Sequence, residues 1–349
     1  MEIVDAAPQG RNAWNRFVRQ HYPPVGAFLA TWEWGAFQKS LGRTVERYFL
    51  KESEDVLAAF TLVHHPSRFG FSYGYVPRGP VIATRAAGDA SSMEILRAMK
   101  EWAANRYPQF AFVRLEPPLS SLAADAARAS GFRIPSYYIQ PRYNLVVPLA
   151  GAESEIAARF HPSTRSNINR AEKRGVTVVQ KTELTETDYR EFFAMMRETI
   201  ARNHAKNVYP SHSYFRSLAA STPPPSGAYD PDRLSLKIFY GYQHGEPAAA
   251  HFVVFFGETA TYLFGASYSA RLNSKVTTYL HWEAMREARQ MGLRFYDLGG
   301  VDDDRWPTLT NFKRQFQGEE FRYVGNIDIP IRPAFYRAYN FLRILRKSS

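Results

Sequence analysis

One lysine in an apolar setting is the residue of this sequence best suited to chemistry. Lys313 stands between Phe312 and Phe316 in the segment Asn311–Phe316, which we expect to form a short helical or extended stretch. A cation held away from water favours developing negative charge much more than the same cation in water. The segment therefore predicts a lysine whose ammonium group sits among apolar neighbours.

The sequence lacks the residues or motifs that most other kinds of catalysis require. The sequence contains no cysteine, which excludes disulfides and thiolate chemistry. It contains no Gly-x-Ser-x-Gly elbow, no Walker-type phosphate loop and no dinucleotide-binding fingerprint. The adjacent His64 and His65 would point to opposite faces of a strand, and the run Asp302–Asp304 lacks the glycine and distal glutamate of a calcium loop. We therefore expect neither a metal nor a cofactor.

The composition is that of a basic globular protein with room for two domains. The chain has 349 residues, of which 45% are hydrophobic and 22% charged. Its net charge of +11 attracts polyanions such as nucleic acid or anionic lipid, although a soluble basic protein without such a partner fits equally well. The longest nearly apolar run, Ala248–Phe256, is too short to span a membrane, and no secretory signal is visible. We expect a cytoplasmic protein.

Helix and strand patterns follow one another in a similar order in both halves of the chain. Amphipathic spacing predicts helices over residues 31–41, 93–106, 164–174, 188–202 and 276–291. Apolar runs predict strands over residues 45–50, 56–64, 110–115, 236–242, 248–256, 259–266 and 294–298. The proline-rich stretch 221–231 is expected to be a loop that acts as a mobile lid. This order predicts an α/β protein built from two copies of one unit, each a mixed sheet flanked by helices.

The segment Tyr262–Met291 has the strand–loop–helix order of the cofactor segment in acetyl-CoA-dependent N-acetyltransferases. Those enzymes hold the pyrophosphate of coenzyme A with backbone amides of a glycine-containing loop at a helix N-terminus. The corresponding loop here, Tyr268–Lys275, contains no glycine, and its side chains would keep the backbone away from the phosphates. The sequence therefore predicts acetyltransferase-like (GNAT-type) domains that do not use coenzyme A.

Six short segments, in a constant order across most of the chain, carry a resemblance to one family. They are Tyr75–Pro80, Val113–Pro117, Ile139–Asn144, Ser163–Val176, Tyr296–Gly300 and Asn311–Phe316. Together they resemble the Fem family of peptidoglycan bridge-forming aminoacyltransferases, particularly its short members without an extended coiled-coil arm. The resemblance implies two acetyltransferase-like domains in tandem, with the final segment returning to the first domain. The implied domains are residues 1–148 plus 325–349, and residues 149–324.

The resemblance also implies an activity and its catalytic residues. Members of the family move an aminoacyl group from aminoacyl-tRNA to a peptide side-chain amine of a muramyl-pentapeptide precursor, which is linked to a lipid or to a nucleotide. Lys313, with Phe312 beside it, matches the family's Phe-Lys pair and is implied to stabilise charge at the acyl group. Glu116 matches an acidic residue of relatives. It either holds or deprotonates the incoming ammonium, or it forms a salt bridge with Arg114 or another arginine.

A further set of positions is implied to bind substrate: Trp34, Gln38, Lys39, Tyr75, Arg78, Arg114, Thr164, Arg165, Arg170, Tyr214, Tyr262 and Phe264. Some of them depart from the family pattern. Gln38, with Lys39 beside it, stands where one type of relative has a phosphate-binding lysine, and Phe264 stands where relatives have tyrosine. The phosphate-binding arginine expected near Pro210 is missing. These departures favour a lipid-linked precursor over a nucleotide-linked one, or a different acceptor.

Two other functions remain open at this stage. One is an N-acyltransferase of the same scaffold that acts on another cell-envelope component with a different acyl donor. The other is a non-catalytic protein that binds tRNA or membrane. The C-terminal stretch Phe335–Lys347 mixes aromatic and aliphatic residues with basic ones, so it either touches the inner face of an anionic membrane or packs as a terminal helix with a basic outer side.

Overall fold

The computed structural model describes residues 1–66, 71–122, 124–202, 210–222, 224 and 228–347. Contacts within the chain divide it into two compact units. The first unit comprises Met1–Pro23, Leu29–Arg142 and Arg322–Ser349, and the second comprises Pro24–Phe28 and Tyr143–Phe321. These limits lie a few residues from the sequence-based boundaries, and they assign residues 24–28 to the second unit.

The first unit is a mixed sheet with helices. Its strands are β1 (Glu2–Asp5), β2 (Val45–Glu52), β3 (Asp55–Pro66), β4 (Ser72–Val76), β5 (Val81–Ile82), β6 (Phe110–Leu115) and β14 (Ile327–Pro330). They run in the order β1-β2-β3-β4-β6-β14, with β5 paired to β3, and only β4 and β6 are parallel among these described pairs. Its helices are α1 (Gly10–His21), α2 (Trp32–Ser40), α3 (Asp89–Arg106), α4 (Ala124–Ala129) and α11 (Pro333–Lys347).

The second unit has the same kind of architecture. Its strands are β7 (Tyr143–Pro148), β8 (Val176–Lys181), β9 (Ser235–Gln243), β10 (Glu246–Phe256), β11 (Thr259–Ser267), β12 (Phe295–Val301) and β13 (Glu319–Arg322), in the order β13-β7-β12-β11-β10-β9-β8. Strands β11 and β12 are parallel. Its helices are α5 (Glu153–Arg159), α6 (Pro162–Lys173), α7 (Glu186–Arg202), α8 (His212–Ser221), α9 (Val276–Gln290) and α10 (Pro307–Arg314). The predicted α/β class, with mixed sheets flanked by helices, is confirmed.

The amphipathic spacing that predicts a helix over residues 276–291 gives α9 one apolar stripe, which faces the core of the second unit. Val276, Leu280, Ala284 and Ala288 are all fully buried. Their spacing places them on one face of a helix, and burying that face against the sheet is what stabilises a helix of this length. Gly292, in the left-handed conformation with φ +84°, follows the end of the helix. The packing of α9 fixes the direction in which its other buried side chains point.

Helix α6 begins two residues earlier than its sequence pattern predicts. The predicted start at residue 164 would make Ser163 the N-cap, but His161 is the N-cap and its Nδ1 accepts a hydrogen bond from the Ser163 backbone N–H at 3.2 Å. Pro162 occupies the first helical position, where its missing N–H needs no partner. The C-terminal end is as predicted, because Gly175 adopts φ +67° just past the helix.

The pair Gly299-Gly300 does not end its strand as predicted. Strand β12 continues to Val301, and its pairing with β7 shifts between Asp297, which faces Val146, and Gly300, which faces Asn144. Two residues of β12 therefore oppose one residue of β7, which is a β-bulge, and Gly299 takes φ +78° within it. Bulges of this kind redirect neighbouring groups, and this one lies next to Lys313.

No helix in the described ranges is both long enough and apolar enough to cross a bilayer.

Candidate functional site

The ammonium group of Lys313 is buried inside the second unit. Helix α10 places Lys313 near its C-terminal end, where the side chain is only 4% exposed. Its Nζ donates a hydrogen bond to the backbone carbonyl of Gly300, at 2.7 Å, in the bulge of β12. A lysine buried against a neutral carbonyl is unusual, because burial of an ammonium group is costly unless a carboxylate pairs with it.

Burial lowers the pKa of Lys313 from 10.5 to about 8, and the negative charge of Asp297 acts in the opposite direction. Among the described residues Lys313 makes no ion pair within 4 Å. The group is therefore largely protonated at neutral pH but titrates close to it. That combination suits a residue that supplies positive charge, or a proton, to a reacting oxygen.

The carboxylate of Asp297 is completely buried and also contacts the bulge. Its Oδ2 accepts hydrogen bonds from the backbone N–H of Gly26 and from Asn144 Nδ2, both at 2.9 Å, and its Oδ1 accepts one from the backbone N–H of Gly299 at 2.7 Å. Burial raises the pKa of Asp297, and these three donors oppose that shift. All three partners donate, which is the pattern that an ionised carboxylate requires.

Aromatic side chains enclose the neighbourhood of Lys313. The ring of His281, on α9, lies 5.7 Å from Phe312 and 5.5 Å from Phe316. The Tyr262 ring is 4.7 Å from His281 and 6.0 Å from Lys313 Nζ. Phe312 and Phe316 therefore pack against a polar ring as well as against one another, and the site around the ammonium is lined with aromatic surface.

Two buried histidines of this cluster were missed by the sequence analysis. His251 and His281 are fully buried, and their rings lie 4.4 Å apart. Burial lowers the pKa of His251 to about 3 and that of His281 well below its ordinary value, so both are neutral. His281 Nδ1 lies 3.0 Å from the Tyr296 hydroxyl, whereas His251 Nδ1 has no hydrogen-bond partner among the described residues. The available signal was a histidine inside the apolar run Ala248–Phe256, but pairing it with His281 required the fold.

In the first unit, both carboxylate oxygens of Glu116 accept hydrogen bonds from neighbouring residues. Its Oε2 accepts a hydrogen bond from the Tyr75 hydroxyl at 2.5 Å, and its Oε1 accepts one from the backbone N–H of Gln140 at 3.2 Å. Arg78 lies close by with φ +47°, donates to the carbonyl of Pro141 at 2.7 Å and stacks on Tyr323, with 3.5 Å between its Cζ and the ring centre. Three predicted site residues, Glu116, Tyr75 and Arg78, are thus brought together in this unit.

Arg114 pairs with Asp328 and not with Glu116. Its Nε and Nη2 donate to the two carboxylate oxygens of Asp328, each at 2.7 Å, and neither side chain is exposed. Burial acts to lower the pKa of Arg114, but the hydrogen bonds and the charge of Asp328 raise it. The interpretation of Glu116 as the salt-bridge partner of Arg114 is therefore wrong. The guanidinium of Arg114 is already paired and buried, which disfavours its predicted role in binding substrate.

The predicted residues of α2 differ in their exposure. Trp34 is buried, with its ring 5.0 Å from Phe37. Gln38 is also buried, and its side-chain oxygen accepts a hydrogen bond from Arg43. Lys39 is exposed. Only Lys39 of these three presents a free charge at the surface of the first unit.

Helix α6 carries three further predicted residues. The Thr164 hydroxyl is buried and donates to the backbone carbonyl of Gln315 at 3.1 Å, next to α10. Arg165 donates to the carbonyl of Phe160, and Arg170 is exposed. Thr164 therefore helps to hold the segment that carries Lys313, whereas Arg170 presents its charge to solvent.

The remaining predicted residues lie around β11. Tyr262 faces Lys313, as described above. Tyr214, on α8, packs edge-on against Phe264 at 6.1 Å, and both are partly exposed. Residues 203–209 and parts of the predicted lid at 221–231 lie outside the described residues.

The chain has recognisable relatives. A sequence model described as the FemAB family matches residues 119–221 and 237–343, which is more than half of the chain. A lipid II:glycine glycyltransferase of Staphylococcus saprophyticus is 21% identical over 402 aligned residues, covering 97% of this chain and 95% of the relative. One from Staphylococcus aureus is 27% identical over 170 residues, covering 46% of this chain and 40% of the relative.

Solved structures share the fold. The crystal structure of FemX superposes with a TM-score of 0.77 at 18% identity, covering 97% of this chain and 99% of that structure. A tandem GNAT protein from the clavulanic acid biosynthesis pathway superposes with a TM-score of 0.55 at 11% identity, covering 94% and 97%. These similarities support the predicted tandem acetyltransferase-like fold.

Proposed function

The chain belongs to the FemAB family, and from this premise we propose that it transfers an aminoacyl group from an aminoacyl-tRNA to a peptide side-chain amine of a peptidoglycan precursor. The observation that carries the proposal is the buried ammonium of Lys313, which has no carboxylate partner within ion-pair distance among the described residues. A stable protein gains nothing from such a group by itself, whereas a reaction that develops negative charge does.

The reaction needs an electrostatic aid more than an energy source. The neutral amine of the acceptor attacks the ester carbonyl that joins the amino acid to the tRNA ribose. A C–N bond forms, the ester C–O bond breaks, and the proton lost by the amine balances the proton gained by the departing ribose oxygen. Lys313 stabilises the negative charge on the carbonyl oxygen, or on the leaving oxygen, because it is cationic at neutral pH and sheltered from water.

A lipid-linked acceptor is the form of precursor that we propose. Two relatives that align with nearly their full length are lipid II:glycine glycyltransferases, which argues for a related acceptor here. The buried Gln38 stands where a phosphate-binding lysine would be expected for a nucleotide-linked precursor, and its side-chain oxygen is engaged by Arg43. An acceptor carried in a membrane also agrees with the net charge of +11, which favours anionic surfaces.

An acyltransferase that uses coenzyme A is less well supported. The segment Ser269–Ser274 forms a 3-10 turn before α9, and Lys275 caps that helix with φ +66°. The position where a glycine would allow close approach of a pyrophosphate is thus filled by residues with side chains.

The test is transfer of a radiolabelled amino acid. The purified protein is incubated with a panel of charged tRNAs and with lipid-linked precursor in detergent, and the amide-extended product is separated and counted. We expect product with charged tRNA, none with acyl-CoA, and a loss on the order of a hundredfold in Lys313→Met, comparable to losing one oxyanion donor.

The matched control is Lys100→Met. Lys100 also donates to a backbone carbonyl, that of Ser130 at 2.6 Å, but it belongs to the first unit, whereas Lys313 belongs to the second. Its replacement should leave turnover within about twofold, since the site around Lys313 is untouched. Turnover with acyl-CoA alone, or full activity of Lys313→Met, would contradict the proposal.

A further inference from the structure

Asp297 is connected to Lys313 through the bulge of β12. Its carboxylate receives the backbone N–H of Gly299, and the next residue, Gly300, offers the carbonyl that Lys313 binds. Gly299 itself sits at φ +78°, and a Cβ placed on it would lie 3.6 Å from Lys313 Nζ. The chain of contacts runs from carboxylate to bulge to carbonyl to ammonium without a gap.

The rest of the Asp297 contacts come from distant parts of the second unit. Gly26 is separated from Asp297 by 271 positions, and Asn144 by 153. Any side chain on Gly26 would meet Thr261 Oγ1 at 2.3 Å and Asp297 Oδ2 at 2.9 Å, so only a glycine lets this backbone N–H reach the carboxylate. Donors brought from such separated segments fix the carboxylate in one position.

We propose that Asp297 is the positioning residue of Lys313: it holds the bulge in the shape that presents the Gly300 carbonyl, and it supplies the negative charge that faces the ammonium. The inference rests on the proposed function, since it assigns a role within the same site. Asp297 touches no reacting atom in this scheme and acts only through Lys313.

Other titratable groups also face Lys313, and none of them replaces Asp297. His281 and Tyr262 lie around the ammonium, with His251 and Tyr296 behind them. Burial keeps both histidines neutral at physiological pH, and burial raises the pKa of Tyr296 well above its ordinary value. Asp297 is the carboxylate among these groups, and its three hydrogen-bond partners are all N–H donors, as an ionised carboxylate needs.

The first experiment measures Lys313 directly and without any substrate. Protein labelled with ¹³C and ¹⁵N in lysine is titrated by NMR, and the Lys313 signal is assigned by its loss in Lys313→Met. We expect the wild-type midpoint near pH 8 and a lower midpoint in Asp297→Asn, because the variant removes the anion that favours the protonated lysine. An unchanged midpoint in Asp297→Asn would overturn the electrostatic half of the proposal.

Asp188→Asn is the matched control for the titration. Asp188 belongs to the same unit and accepts hydrogen bonds from Lys181 and from the Thr185 hydroxyl, the latter at 2.8 Å. Its replacement should leave the Lys313 midpoint near pH 8. A similar fall in both variants would show that loosening of the unit, and not the charge of Asp297, moves the titration.

The second experiment tests the bulge and does not require Asp297→Asn to fold. Gly299→Ala strains the backbone at φ +78°, and we expect turnover to fall at least tenfold. Gly292→Ala carries the same strain at φ +84°, but nothing lies within 4 Å of its added Cβ, so turnover should stay within about twofold. In a Lys313→Met background, Gly299→Ala should have almost no further effect, since both changes act through the same ammonium.

These outcomes separate the two proposals. If Gly299→Ala reduces the residual turnover of Lys313→Met by the same factor as it reduces wild-type turnover, the bulge does not act through Lys313 and the positioning role is wrong. If the wild-type protein transfers no aminoacyl group at all, the proposed function fails, yet the NMR midpoints of wild type and Asp297→Asn still decide whether Asp297 controls Lys313.

Discussion

Two buried cation–carboxylate combinations, Arg114 with Asp328 in the first unit and Lys313 with Asp297 in the second, are arranged differently. In the first unit Arg114 and Asp328 meet directly through two hydrogen bonds of 2.7 Å, and the Tyr336 hydroxyl adds a third contact to Asp328 at 3.0 Å. In the second unit Lys313 and Asp297 do not meet. The ammonium binds a carbonyl, and the carboxylate binds neutral N–H donors.

The difference separates a compensated ion pair from an ammonium group that has no carboxylate within ion-pair distance among the described residues. Direct pairing compensates the charges of Arg114 and Asp328, so Arg114 keeps its proton and has little left to offer a substrate. Separation in the second unit leaves the ammonium poorly compensated, and burial therefore lowers its pKa to about 8.

Removing Asp328 should produce the largest change in stability. In Asp328→Ala the guanidinium of Arg114 stays buried without its partner, and we expect the free energy of unfolding to fall by about 3–5 kcal/mol. Urea unfolding at pH 7 measures it. The double variant Arg114→Met/Asp328→Leu should recover at least half of that loss, because neither charge is then left buried. A loss below about 1 kcal/mol in the single variant would remove the distinction between the two centres.

Replacing Lys313 should have the opposite effect on stability while it removes activity. A pKa lowered from 10.5 to about 8 corresponds to roughly 3 kcal/mol against the charged form. Loss of the hydrogen bond to Gly300 returns about 1 kcal/mol of that. We therefore expect Lys313→Met to raise the free energy of unfolding by about 1–2 kcal/mol at pH 7. A destabilised Lys313→Met would mean that the ammonium serves the fold.

The same lowered pKa sets the dependence on pH. Turnover should decline above about pH 8, approaching tenfold for each further pH unit, because Lys313 loses its proton there. The folded protein holds this proton less tightly than the unfolded chain does, so the unfavourable contribution of Lys313 is full below about pH 8 and disappears as the pH rises towards 10.5. Unfolding of wild type and Lys313→Met at pH 7 and pH 9.5 should show their difference shrinking at the higher pH.

Glu116 should give the smallest effect. Both of its oxygens already accept hydrogen bonds within the first unit, so Glu116→Gln should lower the free energy of unfolding by about 1 kcal/mol and leave turnover within about threefold. Glu54→Gln, in the exposed turn between β2 and β3, is its control. A loss of a hundredfold or more in turnover for Glu116→Gln would identify it as a proton acceptor in the reaction.

Much of the fold could be predicted from local patterns. The apolar stripe of α9 and the left-handed glycines after α6 and α9 are determined by residues a few positions apart, and they lie where the spacing indicates. The N-cap of α6 was misplaced because proline at the first helical position allows an earlier start than the serine suggests. Local rules describe elements well and their first residues less well.

The sequence predicted the lysine of the candidate site but not the groups that surround it. The phenylalanines beside Lys313 indicated a lysine side chain shielded from water, and its burial agrees with that prediction. The partners of the lysine gave no local signal: the bulge at Gly299 depends on pairing with β7, and the ring of His281 meets His251 across α9 and β10. The sequence indicated only that Asp297 lies near the end of a strand, whereas the fold buries its carboxylate and gives it three N–H donors.

By itself the sequence determined the class of fold, the family likeness and the lysine on which a transfer reaction would depend. Only the tertiary structure decided the partners of the buried charges. Arg114 pairs with Asp328 across 214 positions, and Asp297 accepts a hydrogen bond from the backbone N–H of Gly26, 271 positions away. The physical reason is that helices and strands follow from neighbours along the chain, whereas the pKa of a buried group is set by whatever the fold brings within a few ångströms of it.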